Sequence, residues 1–222
     1  TPIYHPRTKP PSMRAVYFDC DGTLLTLDCG YDDLFATACD AANVDATPDL
    51  QTAYGERFFE AFEAFHPDPY HAGMAAAVEA GDLDADPDTL RDAYVDAEVA
   101  ASTPADGARE ALDAFDEADT ALGVLTNGVT DVQRRKLETA GLFDRFETYL
   151  PSYAIEVHKP DPAIFEAARE RIDADEYVYV GDSLDHDVLP AREAGFLAVH
   201  VDTDAEVGIV TVDGVDTLAE LH

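Results

Sequence analysis

The sequence predicts an α/β fold: a mostly parallel sheet with helices on both faces, interrupted by an inserted helical segment. Three observations lead there. Residues 15–18, 121–125 and 177–180 are short apolar runs, the pattern of strands buried on both faces. In the second half of the chain such runs alternate with helical periodicity, as expected when parallel strands are joined by crossover helices. Residues 31–101 carry helical periodicity with no clear strand.

Ala15-Val16-Tyr17-Phe18 is the first predicted strand, and it runs into Asp19-Cys20-Asp21-Gly22-Thr23. Two carboxylates two residues apart repel unless a cation or a shared proton intervenes. An acidic turn and a catalytic pair both have this form, and residues downstream must decide between them. Leu24 to Gly30 reads as a short extended piece.

From Tyr31 to Ala101, apolar residues recur at spacings of three and four, in Leu34, Phe35, Ala38 and Ala42 and again in Phe58, Phe59, Phe62 and Phe65. Thr47-Pro48, Asp68-Pro69 and Asp86-Pro87 mark helix starts, giving about four helices. The stripe of Phe58, Phe62 and Phe65 is expected to be bundle core, not a ligand box.

After Thr103 a helix is expected from Pro104 to Ala118 and a strand over 121–125. A helix over 129–140 follows, closed by Gly141, then a short strand near 148–150 and a helix over 162–171. The strand at 177–180 leads to a helix over 185–194 that ends at Gly195. Further strands are expected at 197–201 and near 209–212. The expected division is a flexible N-terminal lead (1–13), a core domain (14–28 and 103–222) and a helical insert (29–102).

The chain has 222 residues, 47 acidic against 14 basic, and a formal net charge of −33. Its apolar fraction of 46% excludes a disordered acidic tail. A folded chain this negative repels itself at low salt. At 1 M salt the Debye length falls to about 3 Å and the repulsion largely vanishes, so the composition predicts adaptation to a salty cytoplasm. No basic face offers itself to phosphates, which argues against nucleic-acid binding. Cys20, Cys29 and Cys39 form no paired motif and predict reduced thiols in the cytoplasm. No segment approaches a membrane span, and residues 1–12 do not read as a secretory signal. The protein is expected to be a monomer or homodimer.

Three features lie just past predicted strands, where ligands bind in such sheets. Leu125-Thr126-Asn127-Gly128 offers a hydroxyl and backbone N–H groups that suit a phosphate oxygen, or caps for the next helix. His158-Lys159-Pro160 holds one of only three lysines, an ammonium able to balance a carboxylate and a phosphate. His158 is expected to pack or hydrogen-bond locally. Gly181-Asp182 through Asp187 supplies hard oxygen ligands suited to Mg²⁺, with Asp185 read as a helix N-terminal acid.

The ordered set D-x-D-G-T, T-N-G, K-P and G-D-x-x-x-x-D resembles the haloacid dehalogenase-like hydrolase superfamily, from Arg14 to the C-terminus. The resemblance implies a Rossmann-like core and an α-helical cap of the C1 type. It implies Asp19 as nucleophile, Asp21 as general acid and base, and Lys159 as the cation holding nucleophile and phosphate. It implies Thr126 and the amide of Asn127 as phosphate ligands. Mg²⁺ would be held by Asp19, the Asp21 carbonyl, Asp182 and, directly or through water, Asp187. The family's dehalogenases lack the second aspartate, so Asp21 points to a phosphatase acting on a small phosphorylated metabolite. A phosphomutase, a 2-haloacid dehalogenase and a non-catalytic binding protein are the alternatives.

Overall fold

A computed structural model of the chain describes residues 13–117, 120–201 and 210–211. The first strand, β1 (Arg14–Phe18), is followed by β2 (Leu25–Leu27) and four helices, α1 (Tyr31–Ala41), α2 (Pro48–Glu63), α3 (Pro69–Ala80) and α4 (Pro87–Ala101). The chain then returns through β3 (Ser102–Pro104), α5 (Ala108–Glu117), β4 (Ala121–Thr126), α6 (Thr130–Thr139) and β5 (Thr148–Pro151). It closes with α7 (Pro162–Arg169), β6 (Glu176–Gly181), α8 (Leu189–Glu193), β7 (Leu197–His200) and β8 (Val210–Thr211).

The main sheet has the order β5-β4-β1-β6-β7-β8. It is parallel from β5 to β7, with Ala15 opposite Ala121 and Tyr177, and only β8 runs antiparallel. The apolar runs become strands because both faces are covered. Val16, Phe18, Val124 and Val178 pack on one side with Leu112, Phe115 and Leu137 of α5 and α6. Ala15, Tyr17 and Tyr179 pack on the other with Ile164 and Phe165 of α7. Each such fully buried large side chain contributes about 1.5–3 kcal/mol of transfer free energy.

The four helices between β2 and β3 form their own core around Leu34, Phe35, Tyr54, Met74, Leu90 and Tyr94. The predicted starts hold, for a capping reason. The side chains of Thr47, Asp68 and Asp86 accept from backbone N–H groups of α2, α3 and α4, with proline in the first turn of each. Among the described residues no helix is long and apolar enough to cross a membrane.

Several expectations need correction. Ser102–Pro104 is a strand, not the entry to a helix, because it pairs antiparallel with β2 and ties the two ends of the helical insert together. The helix expected over 185–194 begins instead as a π-helical turn, Leu184–Val188, before α8. Met13 is bound through its backbone to Asp175 and Glu176. Residues 1–12 of the expected lead, Ala118, and positions 209 and 212 of the last expected strand lie outside the described residues.

Candidate active site

The loop after β1 is held by its own backbone: Leu24 and Leu25 donate to the Cys20 carbonyl, and Gly22 donates to Leu25. Cys20, between the two aspartates, is buried in the core. The turn needs a glycine at 22, where φ is +80° and an added Cβ would lie 2.3 Å from Asp182 Oδ2. Gly181 similarly lets Asp187 close in, since a Cβ there would meet the Asp187 side chain at 2.5 Å. The two glycines therefore let the carboxylates of three segments approach one another.

Asp19, Asp182 and Asp187 do converge, with carboxylate oxygens all within 4.8 Å of one another. Lys159 is buried against them. Its Nζ donates to Asp19 Oδ1 at 2.8 Å, to Asp187 Oδ1 at 2.5 Å and to the Tyr179 hydroxyl at 2.9 Å. The Tyr179 hydroxyl also lies 2.8 Å from the Leu125 carbonyl and 3.1 Å from Asp187 Oδ1. Asp187 Oδ2 accepts from the backbone N–H of Ser183 at 3.0 Å. Burial works against the Lys159 ammonium, but Asp19 and Asp187 outweigh it and hold the lysine above its usual range. Asp19 is pushed up to about 7, mainly by burial and further by Asp187, against the pull of Lys159. Asp182 is raised for the same reasons, burial first and Asp187 second. One ammonium does not neutralise three clustered carboxylates.

Asp21 faces elsewhere. Its side chain is about half exposed, and it accepts from Lys136 Nζ at 2.5 Å and from Gln133 Nε2 at 2.8 Å. Lys136 is almost fully buried and also donates at 3.1 Å to Glu98 of α4, which Tyr70 holds from α3. Sequence reasoning missed Lys136, Gln133 and Glu98. Lys136 was one of only three lysines, and that rarity was the available signal.

Thr126 ends β4, and its hydroxyl accepts from Gln133 Nε2 at 3.1 Å. The Asn127 side chain clamps the backbone of Lys159, donating to its carbonyl at 2.9 Å and accepting from its N–H at 2.8 Å. Asn127 thereby positions the lysine through its side chain. His158 packs locally as expected, stacked between Phe62 and Phe65 with ring centroids at 4.7 and 4.0 Å. It also bridges Ser152 and the Phe62 carbonyl.

Beside Asp21 lies a cavity of about 370 Å³ between the helical insert and the core. Its walls include Tyr31, Tyr54, Phe58, Phe59, Phe62, Tyr70 and Tyr94, with Asn127, Gly128 and Gln133 on the core side. The phenylalanine stripe of α2 is thus not simply bundle core. Phe58 and Phe62 line this cavity, and Phe62 and Phe65 clasp His158, because the end of α2 meets Tyr153 and His158 after β5 as well as packing on α3. Arg57 and Arg91, by contrast, are spent on Glu60 and on Asp68, Asp88 and Asp92.

The chain is similar to several known proteins. Residues 13–195 match the haloacid dehalogenase-like hydrolase family. Pyrimidine 5'-nucleotidase YjjG of Escherichia coli (strain K12) is 27% identical over 197 residues, covering 81% of this chain and 82% of that protein. Phosphoserine phosphatase of Thermus thermophilus is 45% identical over 84 residues, but these span only 37% of this chain and 34% of that protein. In fold, the chain superposes on the magnesium-bound HAD-hydrolase YfnB of Bacillus subtilis with a TM-score of 0.68 at 24% identity, covering 95% of this chain and 97% of that one. The chain belongs to the haloacid dehalogenase-like hydrolase family.

Proposed function

We propose that the protein is a phosphatase that hydrolyses a small phosphomonoester through a covalent aspartyl-phosphate on Asp19. The observation that carries this reading is the division of labour between the two carboxylates of one loop. Asp19 is buried against Lys159, while Asp21 is half exposed and faces the cavity between insert and core. A nucleophile needs the first environment and an acid that serves the leaving group needs the second.

In this mechanism an Asp19 oxygen attacks phosphorus, the bond to the leaving oxygen breaks, and Asp21 gives that oxygen its proton. Asp21 then takes a proton from water as the water attacks the aspartyl-phosphate. Phosphate leaves and Asp19 is restored. Lys159 balances the charge on Asp19 and on the phosphate oxygens, with Asp187, Tyr179 and Asn127 fixing its position. Thr126 and the Asn127 amide receive phosphate oxygens at the end of β4. The helical segment 29–102 acts as the cap that keeps bulk water from the reacting groups.

The residues fit a divalent cation. Three carboxylates converge within 4.8 Å, burial and mutual repulsion raise Asp19 and Asp182, and all offer the hard oxygen atoms that Mg²⁺ prefers. Asp19, Asp182 and the Asp21 carbonyl would hold it, with Asp187 behind them. When bound, the ion would offset the negative charge gathered around the transferring phosphoryl group.

The test is phosphate release from a panel of phosphorylated metabolites with Mg²⁺ in molar KCl, beside Asp19→Asn. Mg²⁺-dependent release that the variant loses supports the proposal. Chloride release from 2-chloropropionate without phosphatase activity, isomerisation of a sugar phosphate without net hydrolysis, or an equally active variant overturns it.

A further inference from the structure

We infer that the leaving group accepted by this site is an uncharged, ring-bearing alcohol, as in a nucleoside 5'-monophosphate or an aryl phosphate, and carries no second anionic group. The inference rests on the phosphatase reading and concerns the cavity beside Asp21. If Asp21 protonates the leaving oxygen, the rest of the leaving group must extend from Asp21 into the space next to it.

That space is the 370 Å³ cavity, and its chemistry is one-sided. Among the described residues, no arginine, lysine or histidine lines it. Its two ionisable carboxylates are Asp21 and Glu98, and the one ammonium near them, Lys136, is buried and already shared by both. A carboxylate or second phosphate brought here would lose water without gaining a cation. It would also sit beside like charges, a repulsion that works as discrimination. Phosphoserine, phosphoglycolate and a sugar bisphosphate each carry such a group.

The walls instead offer faces. Tyr54, Phe58, Tyr70 and Tyr94 form one connected set of rings with centroid separations of 4.9 to 5.9 Å. Two more aromatics, Tyr31 and Phe59, line the cavity yet remain 66% and 64% exposed. Large exposed aromatic side chains at the rim of a concave apolar site mark a binding surface, and a flat ring stacks on them with little loss of their freedom. The volume lies in the range of about 300–1,000 Å³ found for small-molecule sites, ample for a nucleoside and more than a serine or glycolate would fill.

The experiment compares kcat/KM for uridine and adenosine 5'-monophosphates and p-nitrophenyl phosphate with that for phosphoserine, phosphoglycolate and ribulose 1,5-bisphosphate, using the full chain with Mg²⁺ in molar KCl. The ring-bearing esters are expected to lead by about tenfold or more. The nucleotide and aryl arms tell whether a nucleoside or a simple aromatic alcohol is preferred. Phe59→Ala, at an exposed position that leaves the fold intact, is expected to raise KM for the preferred ring ester by about tenfold, with glycerol 2-phosphate little changed. Phe58→Ala should do the same more strongly. Preference for an anionic leaving group, or equal losses on ring and aliphatic esters in Phe59→Ala, overturns the inference and leaves the phosphatase reading standing. No phosphate from any ester overturns both.

Discussion

Lys136 Nζ lies 2.5 Å from the Asp21 carboxylate and 3.1 Å from Glu98, so one buried ammonium joins the proposed acid–base residue to a helix of the insert. Lys136 comes from α6 in the core, Glu98 from α4, and Asp21 from the loop after β1. The two carboxylates hold the ammonium well above its usual range despite burial. Removing one partner of a buried pair strands the other, which typically costs about 3–5 kcal/mol. Lys136→Met is therefore expected to lower stability by about that amount, because Glu98 is left with only the Tyr70 hydroxyl. Adding Glu98→Gln should recover part of the loss. Denaturant titrations of the two single variants and the double variant form the cycle that checks it. Additive losses would show that the two side chains do not act as a unit.

Asp19 carries a pH dependence that follows from its burial. Its folded-state value of about 7 stands above the ordinary 3.8, so the folded protein binds this proton more tightly than the unfolded chain does. Between those two values the contribution of Asp19 to stability falls as pH rises. Asp19→Asn removes that term. In protein stripped of metal, the variant should gain in Tm relative to wild type as pH is raised from about 4 to 7 and hold that gain above it. Because the proton and a cation compete for the same carboxylate, Mg²⁺ affinity should climb over the same window and level off above it. Thermal melts and calorimetric Mg²⁺ titrations at matched pH check both. A Tm difference that is flat with pH contradicts the cause given for the raised value.

The core of the site was legible because it is written in local patterns. Buried strands show as apolar runs, and Asp19, Thr126 and Asp182 stand at the ends of three of them, while Lys159 stands out as one of only three lysines. The aromatic stripe of α2 has the same periodicity whether it meets another helix or a cavity, so only the packing shows that Phe58 and Phe62 line one. The Lys136–Asp21 and Lys136–Glu98 contacts join residues 115 and 38 positions apart, and no spacing within one segment encodes them. Ser102–Pro104 was missed as a strand because three residues carry no period. Its partner, Leu25–Leu27, lies across the whole helical insert. The π-helical turn at Leu184–Val188 follows from the tertiary demand that Asp187 reach Lys159 while its other oxygen accepts from Ser183.

Gly22 ties loop geometry to the carboxylate cluster. Its φ of +80° is a left-handed conformation that side chains resist, and an added Cβ would overlap the Asp182 carboxylate. Strain of this kind costs about 1–3 kcal/mol. Gly22→Ala is expected to lower stability by about that amount and to weaken Mg²⁺ binding by about tenfold or more, because the displaced group is Asp182 itself. Gly107 also has a φ of +80°, but nothing lies within 4 Å of a Cβ there. Gly107→Ala is thus the control: a comparable backbone penalty with Mg²⁺ binding unchanged. Equal effects of the two variants on Mg²⁺ binding would detach Gly22 from the cation site.

The net charge of −33 makes salt a determinant of folding. The cations offer little relief: Lys136 and Lys159 are taken up inside the site, and Arg57, Arg91, Arg134 and Arg135 are already paired on the surface. The remaining acids repel one another over a range that water alone does not shorten, about 10 Å at 0.1 M salt and about 3 Å at 1 M. Self-repulsion opposes the compact state more than the expanded one. Raising KCl from 0.1 to 2 M should therefore raise Tm steeply at first and then level off once the Debye length is shorter than the spacing between neighbouring carboxylates. Potassium glutamate at equal ionic strength should act like KCl, since the effect is one of screening. Sucrose at matched osmolality adds no ions and should not reproduce the steep early rise. A Tm that is already maximal in dilute buffer would remove charge repulsion as the reason this chain is so acidic.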